Sequence, residues 1–473
     1  MASNGTKLLD FIFLIWDKVD SDSKIALRAT CRQASSSWHA NTTRVRLGEA
    51  ALFKASIGAP QLQAHVGRFI QKLIHSSPAL VKVEFELSHM EFITVHMLLS
   101  AINAGSRQIT IACSYKNKIE PVGAADADLL EMVATIIYSQ NVKLALSLDL
   151  KLAVGPDTYL LNLIPVLRLP QLVQLDVRIW YGVYIPGSSY ALYTADDYQT
   201  VNLARLDELE DLVREICHSP ALCSFISNLD TNWLWAQHLI GNNKLHNLSV
   251  DFLRGDLRCH TIANRIGNGA FPALTELSFG GSNTLHGVVM FNALNNNNCW
   301  GRLTCLKSLD LTLQIGDQNA TALSCLSELV QLETLGLRRN NFTHNGAELL
   351  VPALSSLTTL ITLDLGDNPW QARGATTLAL ALPCLTRLTE LLLDQAKITG
   401  QGACEITSAV TTSIECLNFQ FNRITDPWAI QIGDDVIARL PKLTVLAMEG
   451  NPMTSLGAGQ VRSRGVPIRF HLL

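Results

Sequence analysis

Catalysis and metal binding draw on a short set of side chains, and this sequence holds twelve histidines and eleven cysteines from which a site could be built. Their spacing fits neither use. No two cysteines form a Cys-x-x-Cys pair, no His-Glu-x-x-His occurs, and the histidines do not cluster. A phosphate loop ending in Gly-Lys-Ser/Thr, a Gly-x-Ser-x-Gly elbow and a Gly-x-Gly-x-x-Gly following a strand are missing as well. Gly267-Asn-Gly269 and Gly457-Ala-Gly459 stand isolated and fit turns. The expectation is a chain without catalytic residues, metal ligands or a cofactor.

The chemistry that remains is recognition of another protein. Arg338 and Arg339 precede an acidic column of Asp364, Asp367 and Asp394, followed by Gln395, Gln420 and Phe421. Such a set suits a charged or amphipathic protein surface. It is also what an ordinary solvated sheet face carries, where charges protect against aggregation. A second set falls between Val177 and Leu203, where Trp180, Tyr181, Tyr184, Tyr190 and Tyr193 are joined by Tyr198. Tyrosine and tryptophan carry much of the energy of protein interfaces, and insertions in repeat arrays often project as binding loops. A loop folded back over an irregular part of the chain would have the same composition.

The elements that position these side chains follow from a repeat. Leu332, Leu335, Leu337, Asn340 and Phe342 fit the pattern L-x-x-L-x-L-x-x-N-x-L, as do Leu360, Leu363, Leu365, Asn368 and Trp370. Leu388, Leu391, Leu393 and Ile398 follow, with Ala396 in place of the asparagine. Then come Ile414, Leu417, Phe419, Asn422 and Ile424, and last Leu443, Leu446, Met448, Asn451 and Met453. The L-x-L core predicts a short strand with alternate side chains turned inward. The asparagine amide is placed to satisfy backbone groups left over where the chain turns. Between the strands, Gly346–Leu354, Gly374–Leu382 and Gly402–Val410 repeat one helical frame, with apolar residues at three- and four-residue steps.

These residues resemble the ribonuclease-inhibitor type of leucine-rich repeat, over about Leu245 to Met453. The resemblance implies an α/β fold: a curved horseshoe solenoid with a parallel sheet on its concave face and helices on its convex face. Toward the N-terminus the pattern thins. Strands are expected at Leu80, Gln108, Leu172, Leu245, Leu274 and Leu306, with helices at Ala127–Tyr138 and Leu203–Ile216. The expected organisation is a helical segment over 1–44, irregular repeats over 45–243 with the tyrosine-rich insertion at 178–202, and regular repeats over 244–473. Val466–Leu473 alternates like a strand and is expected to cap the open edge.

The first 44 residues carry no repeat. Ile15, Trp16, Val19, Ile25, Leu27, Ala29 and Cys31 fall at helical spacings, interrupted by Asp20-Ser-Asp-Ser23. Ile15-Trp16-x-x-Val19-Asp20, with Leu27-Arg28-Ala-Thr-Cys31-Arg32 and Trp38, resembles an F-box. That family docks the Skp-type adaptor of a cullin-based ubiquitin ligase and commonly continues into leucine-rich repeats that capture a substrate protein. The usual Leu-Pro opening is absent near Lys7-Leu8, Thr30 stands at an apolar place, and the aromatic residue is delayed to Trp38. A terminal cap over the first repeat would account for the same apolar residues.

Bulk properties narrow the partners. A formal charge of -4 builds no field for a polyanion, so neither nucleic acid nor an anionic membrane is expected. Leu8–Trp16 is apolar but broken by Asp10 and followed by acidic residues, which fits a first amphipathic helix better than a signal peptide. Cys305, Cys325 and Cys384 stand where an apolar repeat residue would serve and are expected as packed, reduced thiols. The expectation is a cytoplasmic, nuclear or cytoskeletal protein, one copy within a larger assembly: an F-box-type substrate receptor, a scaffold of a cytoskeletal or axonemal assembly, or a small-GTPase regulator.

Overall fold

The computed structural model describes residues 44–46, 80–86, 108–116, 141–152, 163–181, 206–227, 235–252 apart from 236 and 240, 259–281, 284–463, 465 and 468–469. The chain divides into two compact units, Met1–Ser224 and Phe225–Leu473. In the first, strands β1 (Arg44–Arg46), β2 (Lys82–Glu86), β3 (Ile109–Lys116), β4 (Val142–Leu152) and β5 (Leu172–Tyr181) each pair in parallel with the next. Alternation decides which face is buried. Val83, Ile111 and Leu144 lie in one row of the ladder, Cys113, Leu146 and Leu175 in another, and all six are buried. Helix α1 (Ile164–Leu167) precedes β5, and α2 (Leu206–His218) buries Leu212, Val213 and Ile216 before β6 (Leu222–Ser227). The expected Ala127–Tyr138 helix lies outside the described residues.

The second unit alternates strand and return segment. It contains β7 (Asn247–Phe252), α3 (Cys259–Gly267), β8 (Glu276–Gly281), α4 (Thr284–Asn296) and β9 (Ser308–Thr312). A 3-10 segment (Asp317–Glu328), β10 (Thr334–Gly336), α5 (His344–Ser356), β11 (Thr362–Asp364) and α6 (Gln371–Ala379) follow. Then come β12 (Glu390–Leu392), α7 (Gly400–Ala409), β13 (Cys416–Asn418), α8 (Asp426–Arg439), β14 (Val445–Ala447), α9 (Ser455–Ser463) and β15 (Ile468–Arg469). Leu277, Leu309, Leu335, Leu363, Leu391, Leu417 and Leu446 are register partners on successive parallel strands, and all are buried. Each contributes about 1.5–3 kcal/mol on leaving water. The fold is a leucine-rich-repeat solenoid. β15 pairs Ile468 with Leu446 and Arg469 with Ala447, which covers part of the last strand edge.

A ladder of asparagines joins the repeats where the three-residue strands end. Asn368 Oδ1 accepts from Asn340 N (2.9 Å) and Phe342 N (3.1 Å), and its Nδ2 donates to Leu337 O (2.9 Å). Asn422 repeats the arrangement with Ala396 N (3.1 Å), Ile398 N (3.0 Å) and Leu393 O (2.7 Å). Ala396 can do none of this for the repeat before it. Leu365 O accepts from Asn368 Nδ2 of its own repeat at 3.1 Å but lacks the donor that an asparagine at 396 would bring, and Trp370 Nε1 donates to it at 2.8 Å instead. Trp370 N turns to Asn368 O, also at 2.8 Å. The indole is fully buried and stacks on Phe342 with ring centroids 5.7 Å apart. A large residue at 370 and a small one at 396 are therefore a matched pair.

The cysteines depart from expectation. Cys305 and Cys384 are exposed and Cys325 is half-buried. At 305 the core places are taken by its neighbours Leu303 and Leu306, and Cys384 sits in the outer 3-10 turn Leu382–Cys384, beside the buried Leu382 and Leu385. The packed thiols are elsewhere: burial pushes Cys113 and Cys299 up to about 12.

Two outcomes follow from these contacts. Trp370→Phe removes the indole donor and should lower stability by roughly 1–3 kcal/mol in urea unfolding. Trp370→Ile combined with Ala396→Asn should lose less than the sum of the single changes, because it rebuilds the ladder as it stands at Ile398 and Asn422. In native protein at neutral pH, iodoacetamide should label Cys305 and Cys384 readily, and Cys113 and Cys299 only after denaturation, as mapped by peptide mass.

Candidate functional site

The side chains between the buried leucines form rows on the open side of the strands. One row runs Asp310, Gly336, Asp364, Leu392, Asn418, Ala447, and another runs Ser308, Thr334, Thr362, Glu390, Cys416, Val445. Core positions repeat leucine after leucine, whereas these rows change character along the stack. Only the second kind of position is free to carry specificity.

The expected charged residues come together mainly with one another. Arg338 Nε donates to Asp364 Oδ2 at 3.1 Å, and Arg338 Nη2 donates to Asp394 Oδ1 at 2.5 Å, so one guanidinium bridges three repeats. It passes over Gly366, where a Cβ would fall 2.6 Å from Arg338 Nη2 and 2.9 Å from Asp394 Oδ1. Asp394 is 7% exposed and also accepts from Asn418 Nδ2 at 3.3 Å. Burial opposes the charge on Arg338. The hydrogen bond to Asp394 and the pairing with Asp364 outweigh it and hold the guanidinium above its ordinary pKa. Asp364 and Asp394, expected on a partner surface, thus also accept hydrogen bonds from other repeats of the stack. Arg339, with its side chain 65% exposed, pairs Nε with Asp367 Oδ2 at 2.7 Å and remains accessible.

Beyond the strands the chain makes the same left-handed turn in each repeat. Arg339, Asp367, Gln395, Phe421 and Gly450 have φ of 56, 56, 55, 53 and 70°. Their amides donate to the next repeat: Arg339 N to Gly366 O, Asp367 N to Asp394 O, Gln395 N to Gln420 O and Phe421 N to Glu449 O. A non-glycine residue in this region costs roughly 1–2 kcal/mol, here offset by the ladder. The turn lifts Gln395 and Phe421 outward as an exposed ridge, while Gln420 Nε2 is tied to Glu449 Oε2 at 2.8 Å. Lys397 and Arg423 are exposed on the same ridge and were not among the sequence-derived candidates. They follow the ladder position, which the repeat pattern treats as a turn; a basic residue there in successive repeats is the signal that marks them.

Trp180 and Tyr181 belong to β5, with backbone partners Lys151 and Leu152, so the strand extends into the stretch expected as an insertion. Tyr184, Tyr190 and Tyr193 lie outside the described residues, as do Ile15, Trp16, Val19, Ile25, Leu27 and Trp38. Among the described residues no group of three or more His, Cys, Asp or Glu is placed to hold a metal. No described helix is long and apolar enough to cross a membrane.

No family model matches the chain. No curated protein matches it either. Among solved structures it is similar to an internalin from Listeria monocytogenes, with 12% identity and a TM-score of 0.38, over 89% of this chain and 96% of that one. It is similar to the Rad7 and Elc1 complex of yeast, at 16% identity and a TM-score of 0.42, over 92% and 95% of the two chains. A leucine-rich-repeat protein of Leptospira interrogans has 13% identity and a TM-score of 0.39, over 93% and 98%. The repeat architecture itself stands on the register of its own strands.

The bridge made by Arg338 has a measurable consequence. Arg338→Ala leaves the buried Asp394 carboxylate without its cation and should cost about 2 kcal/mol in chemical denaturation. Arg338→Lys, a point charge on one stem, should not recover the loss in full, because it cannot span Asp364 and Asp394 with separate nitrogens.

Proposed function

We propose that this chain is a protein-interaction module whose repeats capture a partner protein, and that residues 1–44 tether it to an adaptor in the manner of an F-box. The observation that carries the first half is the division of labour in the second unit. Its buried face is a monotonous column of leucines, and its open rows and ridge bear unlike side chains on a backbone fixed by a hydrogen-bonded ladder. Rigid presentation of varied side chains lowers the ordering cost of association. The second half is supported by the F-box-like order of Ile15, Trp16, Val19, Ile25, Leu27 and Trp38 ahead of leucine-rich repeats. On this reading the chain is a substrate receptor of a cullin-type ubiquitin ligase and is not itself an enzyme.

The tether is tested with the full-length chain. It should co-purify with a Skp-type adaptor, and Trp16→Ala or Leu27→Ala should abolish that without changing the unfolding of the repeats. Failure of the intact chain to bind any such adaptor would leave the segment as a cap on the first repeat and the repeats as a capture surface alone.

A further inference from the structure

The ridge beyond β12 and β13 carries a feature that the stacking of repeats does not require. Phe421 is 52% exposed and sits at φ 53°, a region that bulky L residues rarely adopt. In the next repeat the same place is Gly450, at φ 70°. The phenyl ring lies over that glycine: a Cβ there would fall 2.3 Å from Phe421 Cδ1. Gly450 thus gives the ring a floor on one side, and the other side stays in water. The ladder bond from Phe421 N to Glu449 O offsets the backbone strain, but among the described residues nothing covers the exposed aromatic surface. Contact with an apolar group from outside would cover it.

Two cations stand at matching places on adjacent turns, Arg423 two residues past Phe421 and Lys397 one repeat earlier. Arg423 N donates to Ile398 O at 2.9 Å, and Thr399 and Arg423 form a parallel bridge. Asn422 Oδ1 accepts from Ala396 N and Ile398 N, the residues on either side of Lys397. These bonds hold Lys397 and Arg423 against the turn that presents Phe421. Both cations are exposed, and among the described residues neither has a carboxylate within ion-pair distance. Arg338 and Arg339 differ: their charges are answered by Asp364, Asp394 and Asp367.

We infer that Phe421, flanked by Lys397 and Arg423, is the anchoring site for an acidic, apolar segment of the captured protein. Aspartates or glutamates of that segment meet the two uncompensated cations, and a leucine- or phenylalanine-like side chain packs on the open side of the Phe421 ring. Charge complementarity selects the sign of the partner, and the aromatic selects against a simple polyanion. The inference rests on the capture reading given above and names the chemistry of what is captured.

The test uses the full-length chain and three fluorescent peptides, measured by anisotropy. One alternates Asp/Glu with Leu/Phe, the second replaces the acids with Asn/Gln, and the third replaces them with Lys. Only the first should bind. Phe421→Gly places at 421 the residue type found at 450, so the melting temperature should stay the same or rise while affinity falls about tenfold or more. Phe421→Asn, which also tolerates the left-handed region, serves as the second variant if the glycine change disturbs folding. Lys397→Gln with Arg423→Gln should weaken binding and flatten its salt dependence. Equal binding of all three peptides, preference for the lysine peptide, or affinity untouched by Phe421→Gly would overturn the site. Binding of heparin in place of peptide, indifferent to Phe421, would overturn it too. Peptide binding that survives Phe421→Gly but is lost in Arg339→Glu would reject this anchor and leave protein capture by the repeats standing.

Discussion

From β10 to β14 the second unit depends on one constraint: strands of three residues run out of hydrogen-bond partners almost as soon as they begin. Every repeat ends a strand inside the stack, where stranded backbone groups have no water to turn to. The asparagine ladder meets this need by giving each buried amide side chain to its own turn and to the turn before it. Asn368 and Asn422 each combine two accepted amides with donated bonds to carbonyls in both repeats. The leucine column supplies most of the burial, but leucines alone would tolerate sliding of one coil against the next. The ladder sets the register.

The exception at Ala396 shows that the constraint is chemical and not a matter of residue identity. Leu365 O keeps the donor from Asn368 of its own repeat, and the indole of Trp370 brings the second one from a different place in the frame. A similar economy joins the return segments. Thr343 donates from N and Oγ1 to the Asp317 carboxylate, and Thr454 does the same to Asp426, so one acid satisfies the start of the neighbouring segment. Neighbouring coils are thus connected on the strand side by amides and on the return side by carboxylates, with apolar packing between.

Legibility in the sequence follows the strength of the constraint on each position. Leu335, Leu363, Leu391 and Leu417 must be large and apolar, so their spacing alone places them in one row. β15 and the helical frames at Gly346, Gly374 and Gly402 are legible for the same reason. β4 was not among the expected strands although Leu144, Leu146, Leu148 and Leu150 alternate plainly; its eleven residues run well past the L-x-L core. The site was less legible still. Periodicity says which residues leave the core, but it does not say that Arg338 reaches over Gly366 to Asp394, a partner 56 residues on. Nor does it separate a charge answered within the stack from one left to solvent, as at Lys397 and Arg423.

The left-handed column decouples folding from recognition. Because the backbone at 339, 367, 395 and 421 is fixed by amide bonds to the next repeat, the residue there can be Arg, Asp, Gln or Phe without changing the turn, and Gly450 keeps the same left-handed φ at the end of the column. Glycine would be the cheapest occupant throughout, and only at 450 is it used. At 339 and 367 the side chains meet each other, which returns something to the fold. At 421 the described contacts return only the floor over Gly450. A large apolar side chain half in water, close in sequence and register to two cations that no carboxylate answers among the described residues, adds nothing that the stack needs, and the proposed anchor rests on that surplus. The same logic ranks the rest of the open face: positions whose side chains are consumed by the stack, such as Arg338 and Asp394, specify the platform, and those left over specify what it holds.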